Sequence, residues 1–385
     1  MNIGIVLGSY LIIFFIIGLS LKSCRYNILF YLFDFIVGVS VYFIHVPEEL
    51  NYDMTRYEEL LDLIRSYNNL GGVTAGLHWT LNYSTYASQP FDAFYIWLFS
   101  LFKNNGYLFA VTTYIFLFLI SKLIISVCKD FKIGLKIGLV VQVIVLSIFC
   151  LGWEISGLRN NMAFIILVWA IYYDVTDKSK VFSIVFYLLS YLIHPSVIIF
   201  IILRVLLIIF NNRLGHIIVI LITVVYPIFI NNILDIAQKI NIFPNLEEKA
   251  NAYLYGGQNF NQFASGPTLF VIICILITLI LEVIFYNLYY RNINLKSYIQ
   301  IYITYIFFAI SSFLSSQLLL RTTLLLLFMS IPIKIILFSN INSTKYNLID
   351  PTVEIVRELY KLFILFFSIF AFVFWYQQVY VHMLI

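Results

Sequence analysis

The sequence predicts an all-α fold, a polytopic integral membrane protein with about 10–12 transmembrane helices plus short outer-face amphipathic or re-entrant helices. Three observations predict it. Of 385 residues, 62% are hydrophobic and 11% charged, with a mean hydropathy of +0.96, far too apolar for a soluble domain. Apolar runs recur at close to the length a helix needs to cross a bilayer, roughly 20 residues at 1.5 Å each. Basic residues fall in alternate loops, as the positive-inside rule requires. The net charge of +4 is spread over these loops without a basic block, so nothing points to nucleic acid.

The first run, 3–21, starts near Met1 without a basic flank and has no small-residue cleavage site before Lys22, so it reads as a retained helix. The second, 28–46, carries Asp34 in mid-span, where lipid penalises charge. A polar stretch at 47–106 reads as an outer loop with interfacial helices. Within it, Tyr57 to Ile64 shows helical apolar spacing, and 91–102 is too short to span and places Trp97 at headgroup depth. Runs 107–128 and 135–152 are separated by Lys129 and Lys132, and 158–174 opens at Arg159. Runs 181–194 and 195–210 meet at His194-Pro195, either as a tight hairpin or as one long kinked helix, because proline removes a backbone donor. The remaining runs are 216–233, 268–290, 298–318, 322–338 and 361–383, with a second outer loop at 234–267. The whole chain, 1–385, reads as a single polytopic transmembrane domain.

With the hairpin, one orientation places Lys22, Lys129, Lys178, Lys180, Arg204, Arg213, Arg291, Lys296 and Lys345 in the cytoplasm. The same orientation puts Arg159, His194 and Arg321 on the outer face. Arg159, in Glu154-Ile-Ser-Gly-Leu-Arg159-Asn160-Asn161, is either paired with Glu154 or a ligand for phosphoryl oxygens, which its planar guanidinium binds bidentately. Asn160 adds donors at the positive end of a helix. His194, followed by Pro195 and Ser196, is a proton carrier near neutral pH. Arg321 follows a serine-rich stretch able to line a wet cavity. Asp53, four residues before Tyr57, is a carboxylate base candidate on the same helical face, with Arg56 beside it. Cys24, Cys128, Cys150 and Cys274 lack metal spacing and read as inert thiols. No nucleotide loop, catalytic serine elbow or metal motif is present, so neither cofactor nor metal is expected.

In order and spacing, Asn51-Tyr-Asp-Met-Thr-Arg-Tyr57, Gln89-Pro-Phe-Asp-Ala-Phe-Tyr95, Leu158-Arg-Asn-Asn-Met-Ala163, Leu192-Ile-His-Pro-Ser196 and Leu320-Arg-Thr322 resemble the EpsG and Wzy-type polysaccharide (O-antigen) polymerases. The family pattern often has Glu-Pro where this chain has Gln89-Pro90. The resemblance implies a bacterial inner-membrane enzyme, active on the outer face, that joins polyprenyl-diphosphate-linked repeat units without metal or nucleotide-sugar. It also implies a chain-length-regulating co-polymerase as a partner beside the lipid bilayer. In that scheme Arg159 and Arg321 stabilise the departing diphosphate, and His194 or Asp53 deprotonates the acceptor hydroxyl. Arg56, Tyr57, Asn160 and Ser196 contact substrate. An O-antigen ligase, or a flippase or other transporter of lipid-linked oligosaccharide, stands as the alternative, the latter because of Asp34.

Overall fold

The computed structural model describes residues 3–20, 26–44, 53–87, 89–239, 266–289, 295–339 and 351–380. Among them there are helices and turns and no strand. The chain is an all-α polytopic membrane protein. Four stretches, Gly106–Asp130, Pro267–Leu288, Leu318–Phe338 and Ile355–Gln378, are long and apolar enough to cross a membrane, and six shorter apolar helices accompany them. Helix α1 (Ile3–Ser20) shows why lipid is the solvent: Ile12 and Ile16 on one side are 62% and 57% exposed while Leu11 and Phe14 are buried.

The described residues form two compact units. The first comprises Met1–Leu167, Leu188–Pro195 and Lys334–Ile385. In it α2 (Tyr26–Val41) packs along α6 (Gly106–Asp130) and α7 (Leu135–Ile148). Asp34 joins the three: its Oδ1 accepts from Ser121 Oγ at 3.0 Å and from Gln142 Nε2 at 3.3 Å, and Gln142 Nε2 also reaches Ser121 at 2.9 Å. Side-chain hydrogen bonds of this kind hold helices together where the hydrophobic effect cannot.

Between α2 and α6 lie three short helices, α3 (Asp53–Gly71), α4 (Val73–Tyr83) and α5 (Pro90–Ser100), packed on one another. Only Gly72 separates α3 from α4, and its φ of 81° is one that a residue with a β-carbon resists. Helix α5 has Pro90 at its first turn, where the missing N–H costs nothing. Its 11 residues are too few to span a bilayer.

A short helix, α8 (Leu151–Ser156), follows α7 and precedes α9 (Leu158–Val175). The break between α7 and α8 is held by the last helix, α16 (Pro351–Gln378), and the residues after it. Trp375 Nε1 donates to Ile148 O and the Leu151 N–H donates to Tyr380 Oη, each at 2.8 Å. Both satisfy backbone groups that lipid would leave bare. Trp153 and Trp375 then meet edge to face at 4.4 Å.

The second unit comprises Val168–Tyr187 and Ser196–Ile333. Helix α10 (Lys180–Ile193) stops at His194, a single turn of 3-10 helix covers Pro195–Val197, and α11 (Ile198–Ile209) resumes. Tyr187 of α10 and Arg204 of α11 both hydrogen bond to Asp174 at the end of α9. A continuous helix would hold them about 25 Å apart along its axis, so the chain folds back at His194-Pro195 and the hairpin is the structure adopted. Helices α12 (Arg213–Lys239), α13 (Pro267–Tyr289), α14 (Lys296–Ser311) and α15 (Ser316–Phe338) complete the set. Tyrosines tie this unit internally: Tyr305 Oη donates to Phe200 O at 2.6 Å and Tyr298 Oη to Met329 O at 2.8 Å.

The expected run 298–318 ends early, because Ser312–Leu314 forms a 3-10 turn, and α15 starts at Ser316 rather than at 322. Most of the outer loop expected at 234–267, and Cys24, lie outside the described residues. Cys128 and Cys150 are buried free thiols, and Cys274 is half-buried.

Candidate functional site

Arg159 is the second residue of α9, and its side chain is 19% exposed. Four side chains from elsewhere in the first unit fix it. Its Nε donates to Tyr57 Oη at 3.1 Å, and its Nη1 donates to Gln89 Oε1 at 2.8 Å and Asp92 Oδ2 at 2.6 Å. The guanidinium carbon sits 4.2 Å from the centroid of the Tyr86 ring, which itself stacks on Tyr57 at 6.2 Å with 11° between planes. Cation-π contact and a charge-assisted hydrogen bond both strengthen in a dry setting. Among the described residues the Nη2 donors have no hydrogen-bond partner, so the edge they occupy is free to meet an anion.

The local sequence explains how the partners arrive. Met54, Tyr57, Leu61 and Ile64 form the buried stripe of α3, which points the Tyr57 hydroxyl inward. Gln89 is the residue before the first turn of α5 and Asp92 lies within that turn, where the helix dipole favours a carboxylate. Asp92 is 1% exposed, and burial pushes its carboxyl up to about 6 although the Arg159 charge pulls the other way. Burial also raises the Tyr86 phenol, a shift that the neighbouring Tyr57 reinforces and Arg159 opposes.

Next to this cluster lies a group of buried acceptors. Glu154, on α8, is fully buried, and the Asn161 amide is the polar group beside it, although Asn161 Nδ2 is directed at Trp153 O and closes no well-formed hydrogen bond to the carboxylate. Burial drives its carboxyl well above the usual range. The Oδ1 atoms of Asn160 and Asn161 are without partners among the described residues, while Asn161 Nδ2 donates to Trp153 O at 2.9 Å. The Glu154–Arg159 pair, one of the two alternatives for this arginine, does not form. Gly157 ends α8 before α9 begins, so the two residues stand on separate helices, and Asp92 takes the arginine instead.

The other sequence-derived residues fall as follows. Asp53 opens α3 and pairs with Arg56 at 3.1 Å, both about half exposed, at 49% and 51%. It therefore stands outside the buried stripe that carries Tyr57, although its charge reaches the Tyr86 phenol. His194 is half-buried in the first unit, its backbone N–H donating to Ser190 O at 3.0 Å. Ser196, in the 3-10 turn, and Arg321, on the second turn of α15, belong to the second unit. The structure thus joins Tyr57 to Arg159 and adds three residues absent from the sequence-derived set: Tyr86, Gln89 and Asp92. Among the described residues no group of three or more His, Cys, Asp or Glu side chains is placed to hold a metal ion.

No curated protein and no solved structure matches the chain. The model of the EpsG family matches residues 30–383, which include every residue of this cluster. That match spans nearly the whole sequence, and the chain belongs to the EpsG family.

Proposed function

We propose that this protein polymerises surface polysaccharide at the outer face of the bacterial inner membrane, joining glycans carried on polyprenyl diphosphate. Membership of the EpsG family suggests a Wzy-like polymerase or a related glycan-processing membrane protein. The observation that carries the finer reading is Arg159: a guanidinium anchored on two edges and one face, partly open, with a free edge of donors. A diphosphate leaving group needs such a contact, because charge accumulates on it as the glycosidic bond breaks.

In the proposed reaction the acceptor hydroxyl oxygen attacks the anomeric carbon of the donor sugar. The bond from that carbon to the diphosphate oxygen breaks, and polyprenyl diphosphate departs with the electron pair. The hydroxyl proton passes to Asp53 or His194. The donor is already activated, so the scheme calls for neither metal nor nucleotide-sugar. Asp92 and Gln89 are positioning residues that hold Arg159, while Tyr57, Asn160 and Arg56 contact the substrate.

The test replaces Arg159 by alanine in a deletion strain and reads surface-glycan length, with membrane abundance of the variant in parallel. Normal abundance with single repeat units alone supports polymerase action. Persistence of long chains removes Arg159 from the mechanism, and absence of even single units outside transfers the role to transport or ligation.

A further inference from the structure

The second unit contains a cavity of about 470 Å³ lined by Asp174, Asp177, Lys180, Arg204 and His216, none of which the proposed polymerisation uses. That volume is within the range of small-ligand sites. Two carboxylates face one lysine and one arginine, so with neutral histidine the charged lining sums to zero. A simple anion or a simple cation would meet opposition here as well as attraction.

The charges are not spent equally. Arg204 Nε donates to Asp174 Oδ2 at 2.6 Å, which neutralises that pair. The side chains of Lys180 and Asp177 have no ion-pair or hydrogen-bond partner among the described residues, and both residues are exposed. Asp177 is held at φ 51°, in the turn between α9 and α10, three residues before Lys180. One free cation and one free anion therefore line a single cavity. Part of the wall beside them is apolar, with Leu207 buried and Ile208 52% exposed, and Asn211, Ser297 and Gln300 add neutral polar groups. Lys180, Arg204, Arg213 and Lys296 are also among the basic residues that the positive-inside rule assigns to the cytoplasmic face, where headgroups of that leaflet would lie.

We infer that this cavity binds the zwitterionic phosphoethanolamine headgroup of a phospholipid, with Lys180 and His216 on the phosphate, Asp177 on the ammonium and Ile208 against the hydrocarbon. Choline headgroups carry no N–H for Asp177, and glycerol headgroups carry no cation, so neither uses both charges.

The experiment follows thermal unfolding of the purified full-length protein in detergent while short-chain phosphatidylethanolamine, phosphatidylcholine or phosphatidylglycerol is titrated in. Phosphatidylethanolamine alone should raise the melting temperature saturably. Asp177→Asn should weaken that response about tenfold, the worth of one charge-assisted hydrogen bond, and leave the phosphatidylglycerol response unchanged. Lys180→Ala, tested in case the first variant misfolds, should also weaken it. Competition by soluble O-phosphoethanolamine tells the two sources of this chemistry apart: full displacement assigns the site to the headgroup, and displacement only by the lipid assigns it to headgroup and chain together. Equal responses to the three lipids, or an unchanged phosphatidylethanolamine response in both folded variants, overturn the inference.

Discussion

Among the described residues two arginine-aspartate-tyrosine clusters stand, one in each unit, and they are built in opposite senses. In the first, Asp92 is buried to 2% side-chain exposure and Arg159 is the more open partner at 19%. In the second, Arg204 is the more hidden at 14% and Asp174 the more open at 25%. Both ion pairs measure 2.6 Å. Pair geometry alone would call them equivalent, but burial decides which charge is offered to a ligand. The first cluster leaves its cation the more accessible partner, the second its anion, in a lining whose charges sum to zero. The first also adds an aromatic stack and an amide acceptor, which hold the guanidinium plane in one orientation.

The largest expected effect separates the clusters outright. Arg159→Ala should reduce polymer formation by about a hundredfold or more, as loss of a leaving-group contact does. Arg204→Ala should leave chain length unchanged and instead lower stability by about 1–3 kcal/mol, since it strands a partly buried carboxylate. Chain-length profiles together with melting curves of both variants check this. Equal loss of polymer in the two would erase the distinction.

Next is Asp92. Its folded pKa, about 6, lies above the ordinary value of 3.8. Ionisation is thus disfavoured by folding, and the stability this group contributes is full below pH 3.8 and is lost as pH rises through 6. Holding Arg159 requires the ionised form, so polymerisation should run the other way, rising through pH 6. Asp92→Asn should flatten both profiles and lower polymer formation by roughly tenfold, the worth of one charged hydrogen bond. Paired pH series of melting temperature and of in vitro polymerisation measure it.

A smaller effect is expected for Tyr57→Phe, which removes one acceptor from Arg159 while keeping the stack on Tyr86: about fivefold in polymerisation rate. Tyr187→Phe, in the second cluster, should cost under about 1 kcal/mol and leave rate untouched. Smallest is Asp34→Asn. The amide oxygen still accepts from Ser121 and Gln142, so normal export of single repeat units is expected. Loss of export would restore the transport alternative that Asp34 suggested.

Much of the architecture is legible in the sequence because lipid imposes it. Apolar runs of spanning length became α6 and α13 within a few residues, and Pro195 located the fold-back. Arg159 stood out because charge beside apolar runs is expensive. The same reasoning applies to Asp92, a carboxylate two residues into the apolar stretch after Pro90, yet it was absent from the sequence-derived site. Gln89 stands where the family pattern often has a glutamate, and its amide oxygen is sufficient to accept from Arg159. Tyr86 had no local signal among 29 tyrosines. Its place depends on the packing of α3, α4 and α5, which periodicity does not encode. Glu154 misled for a related reason: proximity in sequence suggested a pair, and the break at Gly157 separates the two helices.

The contacts that fasten the break between α7 and α8 come from far along the chain, Trp375 being 227 residues after Ile148 and Tyr380 being 229 after Leu151. During synthesis the backbone leading into Arg159 therefore reaches the membrane long before the groups that complete it. The turn that leads into α8 is thus completed only after the chain has grown by a further 227 residues, to Trp375.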